Sequence, residues 1–194
     1  MVKSVTLLLM FEVILIAVLV YFCLLVKSLA LQYFLLFLIF LFSGHSIYTM
    51  WSGAPFVATT KDRLKTILKL GDFVDDDVVV DLGGGDGRVI RAIWGKGVKR
   101  ALAYEISLPT YLYGRLRTFC SGTGEQIVFG NLWKQDYSKA TKIVCFLMDK
   151  AMARFEKEIW PQLKEGTVVI VNQFPMPNVV EEREEKGIYL YRKV

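Results

Sequence analysis

The sequence predicts an α/β domain with a doubly wound, mainly parallel sheet, preceded by two long apolar helices. Two observations lead to this prediction. After residue 51, short apolar runs typical of buried parallel strands alternate with stretches of helical periodicity. Before it, apolar residues dominate one run of 22 residues and one of 20 residues, at 5–26 and 31–50. We therefore expect two domains, at residues 1–51 and 52–194.

Both apolar runs are long enough to cross a bilayer, because about 20 helical residues span the ~30 Å of hydrocarbon. A secretory signal fits poorly, since the first run is too long and a second one follows. The turn between the runs carries only Lys27, whereas Lys3 and several basic residues after position 60 flank the outer ends. This charge distribution predicts an integral membrane hairpin of two spans, with the following domain in the cytoplasm or on the equivalent matrix side of an organelle. The lipid bilayer is thus an expected partner.

Glu12 is the single acidic residue of the first run, where a carboxylate costs on the order of 3 kcal/mol. If the turn centres between residues 28 and 29, Glu12 and His45 lie at equal depth, and a contact between them is one hypothesis. The alternative is that Glu12 reaches the interface or stays protonated, while His45 lies beside interfacial aromatic residues.

The charge and cysteine content exclude several classes of partner. From residue 51 onward, 22 Lys and Arg oppose 18 Asp and Glu, a modest basic excess that suits an anionic membrane surface. The chain lacks the clustered basic and aromatic residues of a nucleic-acid stripe, so we expect no nucleic-acid partner. Cys23, Cys120 and Cys145 lack the spacing of metal ligands, and we expect them to be reduced, with no metal site.

The second domain can be divided into elements from its periodicity. Thr60 and Gly71 bracket a helical pattern as N-cap and stop. The runs with strand character are 78–82, 101–105, 126–129, 142–148 and 167–172. The stretches with helical character are 88–94, 109–119 and 151–163. Residues 179–182 and 188–191 flank a polar turn and predict a closing hairpin. In such sheets ligands bind outside the carboxyl ends of the strands, so the residues after each strand are the candidates.

A glycine loop follows the first strand, in the sequence Val-Val-Asp-Leu-Gly-Gly-Gly-Asp-Gly-Arg. Gly83, Gly85 and Gly87 alternate, and an isoleucine stands where a dinucleotide fingerprint needs its third glycine, so NAD fits poorly. The alternating form, preceded by Asp81 near the strand end, is the one that class I methyltransferases use for S-adenosyl-L-methionine. The alternative is an ordinary glycine turn between a strand and a helix.

Residues after the other strands are further candidates for contact with the cofactor. Glu105 ends the second strand, and its carboxylate can accept both ribose hydroxyls, although a solvated strand end is the alternative. After the third strand, Asn131 and Leu132 can offer an edge hydrogen bond and an apolar face to adenine, with a plain turn as the alternative. Asp86 is a candidate cofactor contact or a cap for the next helix. Arg88 can reach the cofactor carboxylate or a neighbouring acid.

Over residues 55–177 the chain resembles the small seven-strand protein-lysine methyltransferases. That group includes archaeal broad-specificity enzymes and mitochondrial membrane-anchored enzymes that modify the adenine nucleotide translocase and the ATP synthase c-subunit. The segments that carry the resemblance are Ala54-Pro-Phe-Val-Ala-Thr, Val80-Asp-Leu-Gly-Gly-Gly-Asp-Gly-Arg, Tyr104-Glu, Gly130-Asn-Leu-Trp-Lys-Gln-Asp-Tyr-Ser and Gln173-Phe-Pro-Met-Pro.

The resemblance implies a class I, Rossmann-like methyltransferase fold that binds S-adenosyl-L-methionine. It implies that Phe56 and Thr59 close over the cofactor. The residues that it implies hold the cofactor or face its adenine are Asp81, Gly83, Gly85, Glu105, Asn131 and Leu132. The chain departs from the family at Ala58, where proline is usual, and at Asn178, near which a tryptophan often stands. These departures concern the substrate more than the cofactor.

Methyl transfer to lysine needs a neutral amine, which at pH 7 is roughly one lysine in a few thousand in water. An apolar channel lowers the pKa of the amine, and a carboxylate or carbonyl orients it. Asp149, after the fourth strand, is the candidate catalytic orienter, with a helix N-cap as its alternative role. Trp133, Tyr137 and Gln173 are further candidates for the channel wall.

The interpretation favoured by these features is a membrane-anchored methyltransferase that modifies lysine on a protein in or at the membrane. Two alternatives stay open. The enzyme could act on a membrane small molecule such as a quinone or a lipid, or the domain could be a cofactor-binding scaffold without catalysis.

Overall fold

The computed structural model describes the backbone of residues 2–52 and 57–194, and the side chains of residues 13–41, 44 and 57–194. The chain divides into two compact units, Met1–Val57 and Ala58–Val194. In the first unit, α1 (Val2–Leu25) and α2 (Leu29–Ser52) contact each other across a turn at residues 26–28. The side-chain amide of Gln32 donates to the carbonyl of Val26 at 2.7 Å, so a polar residue of the second run supports the turn.

Within the described part of the chain, no helix is both long and apolar enough to cross a membrane, so the predicted transmembrane hairpin gains no support. In α1 and α2, side chains are described for residues 13–25, 29–41 and 44. The hypothesised contact between Glu12 and His45 lies outside the described residues.

The second unit is a seven-stranded sheet covered by helices, which confirms the predicted α/β architecture. Its helices are α3 (Lys61–Gly71), α4 (Arg88–Trp94), α5 (Leu108–Ser121) and α6 (Asp149–Glu158). Its strands are β1 (Val78–Leu82), β2 (Arg100–Glu105), β3 (Gln126–Phe129), β4 (Lys142–Cys145), β5 (Val168–Asn172), β6 (Arg183–Glu185) and β7 (Ile188–Arg192). The sheet order is β3-β2-β1-β4-β5-β7-β6. The five strands β1 to β5 run parallel, and β7 pairs antiparallel with β5 and β6.

Alternate residues of the central strands enter two separate cores, as strands buried on both faces require. On β4, Ile143 and Cys145 join the core built with α6, whereas Val144 joins the core built with α3 and α4. The parallel register brings the carboxyl ends of β1, β2, β3, β4 and β5 to one edge of the sheet. We call this edge the carboxyl edge.

Several boundaries differ from the sequence-based expectation, among them the end of β4, which comes at Cys145 rather than at residue 148, and the start of α6, which comes at Asp149 rather than at residue 151. Two further differences have identifiable reasons. The first arm of the closing hairpin is Arg183–Glu185 rather than 179–182. Lys186 and Gly187 both have positive φ, at 54° and 73°, as in the two-residue turn that best joins twisted antiparallel strands. The helix predicted to reach residue 163 ends at Glu158, because Pro161 follows within a short 3₁₀ turn at 160–162.

Candidate functional site

The glycine loop at the end of β1 depends on backbone conformations that favour glycine. Gly83, Gly85 and Gly87 have φ values of 79°, 58° and 76°, all in the left-handed region. The amides of Gly83 and Gly84 both donate to the carbonyl of Tyr104, at 3.0 and 2.9 Å. The loop is therefore fastened to the end of β2.

One side of the loop is packed and the other is open. A Cβ at Gly84 would lie 2.4 Å from the Cβ of Ala103, and a Cβ at Gly87 would lie 2.4 Å from the side chain of Ile127. A Cβ at Gly83 would meet no described atom within 4 Å. The open side at Gly83 leaves room for a ligand to approach the backbone.

Glu105 supports this loop from the end of β2. Its side chain is buried, with Oε2 accepting from the amide of Gly85 at 2.9 Å and Oε1 accepting from the amide of Ser107 at 2.7 Å. The predicted alternative of a solvated strand end is therefore wrong. A carboxylate has the acceptor chemistry that a pair of ribose hydroxyls requires.

Asp81 is the buried carboxylate beneath the loop, with 5% of its surface exposed. Burial, together with the charges of Glu105 and Asp86, raises the pKa of Asp81 to about 7. A cationic group bound beside Asp81 would therefore stabilise its ionised form.

The carboxylate of Asp86 forms ion pairs with two arginines of this chain. Its carboxylate accepts from Nε and Nη2 of Arg88, both at 2.9 Å, and from Nη1 of Arg117 at 2.7 Å. Burial acts to raise the pKa of Asp86, but the hydrogen bonds and charge of Arg88 and the charge of Arg117 outweigh it and hold the pKa below its ordinary value. Asp86 also accepts from the backbone amide of Arg88 at 3.2 Å, but the N-cap position of α4, the alternative role offered by the sequence, is occupied by Gly87. Arg88 binds the neighbouring acid, one of its two predicted partners.

Thr59 is held from two directions in front of α3. Its carbonyl accepts from Nη1 of Arg88 at 2.9 Å, and its hydroxyl accepts from the side-chain amide of Asn172 at 3.4 Å. Asn172 in turn accepts from Arg63 of α3. This network joins the segment before α3 to the glycine loop and to the end of β5. Phe56 lies outside the described residues.

Asn131 and Leu132 follow β3 at the same edge. The amide of Gly130 donates to the carbonyl of Glu105 at 3.0 Å, which places this turn beside the end of β2. Asn131 caps a short 3₁₀ turn through its side-chain oxygen, which accepts from the amide of Trp133 at 2.9 Å. Leu132 is half-buried against the core on the α6 side.

The candidates for substrate contact differ in how far they are exposed to solvent. Asp149 is the exposed first residue of α6, and Met148 occupies the N-cap position predicted as its alternative role. Tyr137 is buried in the core, and its hydroxyl donates to the carbonyl of Leu132. Burial, and then the neighbouring Tyr104, raise the pKa of Tyr137. Trp133 carries the guanidinium of Arg154 over its ring at 4.2 Å.

Two residues that contact the candidate site, Asn172 and Arg117, are not among those predicted from the sequence. Asn172 ends a strand that enters the carboxyl edge, so its position was a usable signal. Arg117 lies mid-helix, 31 residues beyond its partner Asp86, and no local pattern marks it.

A separate open groove lies at the opposite edge of the sheet, bordered by Trp160, 178–182 and 192–194. Arg192 pairs with Val168 at the start of β5, so this groove is remote from the glycine loop. Within the described residues, no group of three or more His, Cys, Asp or Glu side chains could hold a metal ion.

The chain is similar to known proteins in both sequence and structure. Residues 81–183 match a family model described as the ANTKMT methyltransferase domain. The ATP synthase c-subunit lysine N-methyltransferase of Xenopus laevis is 32% identical over 130 residues, which cover 66% of this chain and 57% of that protein. A protein-lysine N-methyltransferase of Saccharolobus islandicus (strain REY15A) is 32% identical over 148 residues, covering 71% of this chain and 92% of that protein. The chain thus spans little more than half the length of the Xenopus relative.

Among solved structures, an RNA methyltransferase from Salinibacter ruber, in complex with S-adenosyl-L-homocysteine, has a TM-score of 0.66 and 27% identity. The similarity covers 71% of this chain and 94% of that one. TrmN from Thermus thermophilus has a TM-score of 0.56 at 13% identity, covers 68% of this chain and 48% of that one, and supports the fold alone. These matches confirm the Rossmann-like methyltransferase fold predicted from the sequence.

Proposed function

Because the chain belongs to the family of ANTKMT methyltransferase domains, we propose that it is a protein-lysine N-methyltransferase. The apolar runs of the first unit extend this proposal to a membrane-anchored enzyme that acts on a protein in or at the membrane. S-adenosyl-L-methionine is the cofactor that this family membership indicates. The observation that carries the proposal is the glycine loop at the end of β1, open at Gly83 and held at Gly85 by the buried carboxylate of Glu105. The names of the Xenopus and archaeal relatives support lysine as the acceptor.

The residues at the carboxyl edge fit the chemistry of this cofactor. Its adenosine part needs acceptors for two ribose hydroxyls and an apolar face for adenine, which Glu105 and the pair Asn131 and Leu132 can supply. Its methionine part carries cationic groups, and the buried carboxylate of Asp81 would stabilise positive charge there. Thr59 is fixed beside the loop by Arg88, at a position where it can cover the bound molecule.

When bound, the cofactor supplies an electrophilic methyl group on a sulfonium. The residues of this chain must then align the acceptor amine, exclude water and keep the amine neutral. Asp149 is a candidate for orienting the amine, since it begins α6 shortly after the carboxyl end of β4.

Membrane anchoring is the part of the proposal that rests on the sequence of the first unit. Its two apolar runs, 5–26 and 31–50, fall on α1 and α2, and the turn between them carries Lys27 as its only charge. An anchor of this kind would restrict the search for a substrate to the plane of the bilayer. The catalytic unit would face the cytoplasm or the matrix.

The test is methyl transfer by the full chain in cell membranes. Membranes that contain the chain are incubated with S-adenosyl-L-methionine carrying a radiolabelled methyl group, and label is measured separately in protein, lipid and RNA. We expect label in protein as methylated lysine. Asp81→Ala and Glu105→Ala should each abolish it, whereas Asp75→Ala, which removes an exposed carboxylate, should not.

Each other outcome contradicts a defined part of the proposal. Label in lipid would replace lysine by a membrane small molecule, and label in RNA would indicate a nucleic-acid substrate. Tight cofactor binding without label would indicate a scaffold. Full activity of both site variants would refute the site itself.

A further inference from the structure

Gln173 has a strained backbone at the carboxyl end of β5. Its φ is 82°, in the left-handed region that a residue with a Cβ rarely adopts. The amide of Phe174 donates to the carbonyl of Asn172 at 3.2 Å, a bond that spans one residue. This bond and the positive φ together define the rare, strained form of γ-turn. The amide of Gln173 donates to the carbonyl of Gly187 at 2.8 Å, which holds the turn in place.

The strained turn lies next to the network that shapes the site. Asn172 bonds the hydroxyl of Thr59, and the carbonyl of Thr59 accepts from Arg88, the first residue of α4 after the glycine loop. Gln173 is therefore one residue away from a chain of contacts that leads to Asp86. Strained residues persist where the surrounding structure enforces them, and they are concentrated at functional sites.

An aromatic pair stands beside the turn. Phe146 follows β4 and Phe174 follows the turn, and their rings stack with centroids 6.2 Å apart at an angle of 26°. Both side chains are half-buried, so part of each remains accessible. The pair spans the ends of two neighbouring parallel strands, β4 and β5.

The geometry points to Gln173 as the residue that orients the acceptor amine, with Phe146 and Phe174 as the apolar wall along the lysine stem. This inference rests on the proposed lysine methyltransferase function. The carboxamide oxygen of Gln173 accepts an N–H of the neutral amine and directs the nitrogen lone pair towards the methyl group. The nitrogen forms the new C–N bond, the methyl C–S bond breaks with its electron pair left on sulfur, and the surplus proton leaves to solvent.

A carboxamide suits this task better than a carboxylate does, so the inference assigns the orienting role to Gln173 in place of the exposed candidate Asp149. A negative charge beside the amine would stabilise its protonated form and raise its pKa, which removes the nucleophile at neutral pH. A neutral acceptor orients the amine without that penalty. Gln173→Glu should therefore shift the pH–rate profile towards higher pH.

The test measures stability and turnover in the full chain for Gln173→Ala, Gln173→Gly and Gln173→Glu. We expect the alanine and glycine variants to lose about tenfold or more in kcat, the effect of one hydrogen bond to the reacting group, with unchanged cofactor Kd. Gln173→Gly should also raise the Tm by about 2–4 °C, because glycine adopts the positive φ without strain. Asp72→Gly is the matched control, since Asp72 has a φ of 41° at the end of α3, and it should alter stability without altering turnover.

Wild-type turnover and an unshifted pH profile in all three variants would overturn the inference. If Gln173→Gly loses stability, Gln173→Ala and Gln173→Glu decide through kcat and the pH–rate profile. A wild-type chain that labels lipid or nothing would overturn the proposed function, and the inference with it. A wild type that labels lysine beside fully active variants would overturn the inference alone.

Discussion

At the scale of single residues, the charge balance of the carboxyl edge is set by which carboxylates have partners in this chain. Asp86 has two arginines, and Glu105 has two backbone amides. Burial, and then the charges of Glu105 and Asp86, raise the pKa of Asp81 to about 7 from its ordinary value of 3.8. Asp81 is thus the acid whose ionisation a cationic ligand would favour most.

We therefore expect cofactor affinity to depend on pH through Asp81. Below pH 7 the carboxyl group is protonated, so binding of a cationic cofactor must first displace a proton. Affinity should rise with pH, by up to about tenfold per unit below 7, and level off above it. Calorimetric titration between pH 5.5 and 8.5 measures this slope.

Asp81→Asn provides the control for that titration. It keeps the shape of the side chain and removes its ionisation, so binding should be weaker at pH 8 and nearly flat across the range. A wild-type profile that is flat, or one that falls as pH rises through 7, would show that Asp81 does not respond to the charge of the cofactor.

At the scale of elements, the close packing of the glycine loop on β2 is a constraint that can be tested. Gly84→Ala places a Cβ 2.4 Å from that of Ala103, and neither group is a flexible chain end that could yield. We expect a loss of about 1–3 kcal/mol in the free energy of unfolding and weaker cofactor binding, because the end of β1 must move. Denaturant titration and calorimetry measure the two effects.

The double variant Gly84→Ala with Ala103→Gly isolates this contact. Removing the opposing Cβ relieves the overlap, so much of the stability and affinity should return, as a coupling energy between the two sites. Additive losses in the double variant would show that the close approach is not the reason for glycine at position 84.

Some residues of the candidate site could be predicted from the sequence, and others could not. Asp81 and the alternating glycines were recognisable because their conformations and order are local properties of a strand followed by a tight turn. The contact of Arg117 with Asp86 depends on how α5 packs against the loop, and no spacing rule reports that. The strain at Gln173 was equally hidden, since a glutamine gives no sign of positive φ.

At the scale of the whole molecule, the second unit has two cores of its own and all the described candidates for cofactor contact. A fragment that begins at residue 53 is therefore expected to fold and to bind S-adenosyl-L-methionine with the affinity of the full chain. It should methylate a detergent-solubilised target but lose most of its activity on the same target in vesicles. Calorimetry and label incorporation in the two media measure these effects.

A fragment as active on vesicles as the full chain would contradict the anchoring role of the first unit. Loss of cofactor binding by the fragment would instead show that the second unit depends on the first.

The strand order has a consequence for how such a protein diversifies. Apart from Thr59, whose hydroxyl bonds Asn172 at the end of β5, the described candidates for holding the cofactor lie between residues 81 and 132, on or just after β1, β2 and β3, at one side of the sheet. The candidates for the acceptor amine, from Phe146 to Phe174, follow β4 and β5 on the other side. The two groups of strands meet where β1 pairs with β4. Mutations that select a new target can therefore accumulate in the later half of this unit. The earlier half can meanwhile keep its ligand unchanged, so descendants of one ancestor could share a cofactor while differing in what they modify.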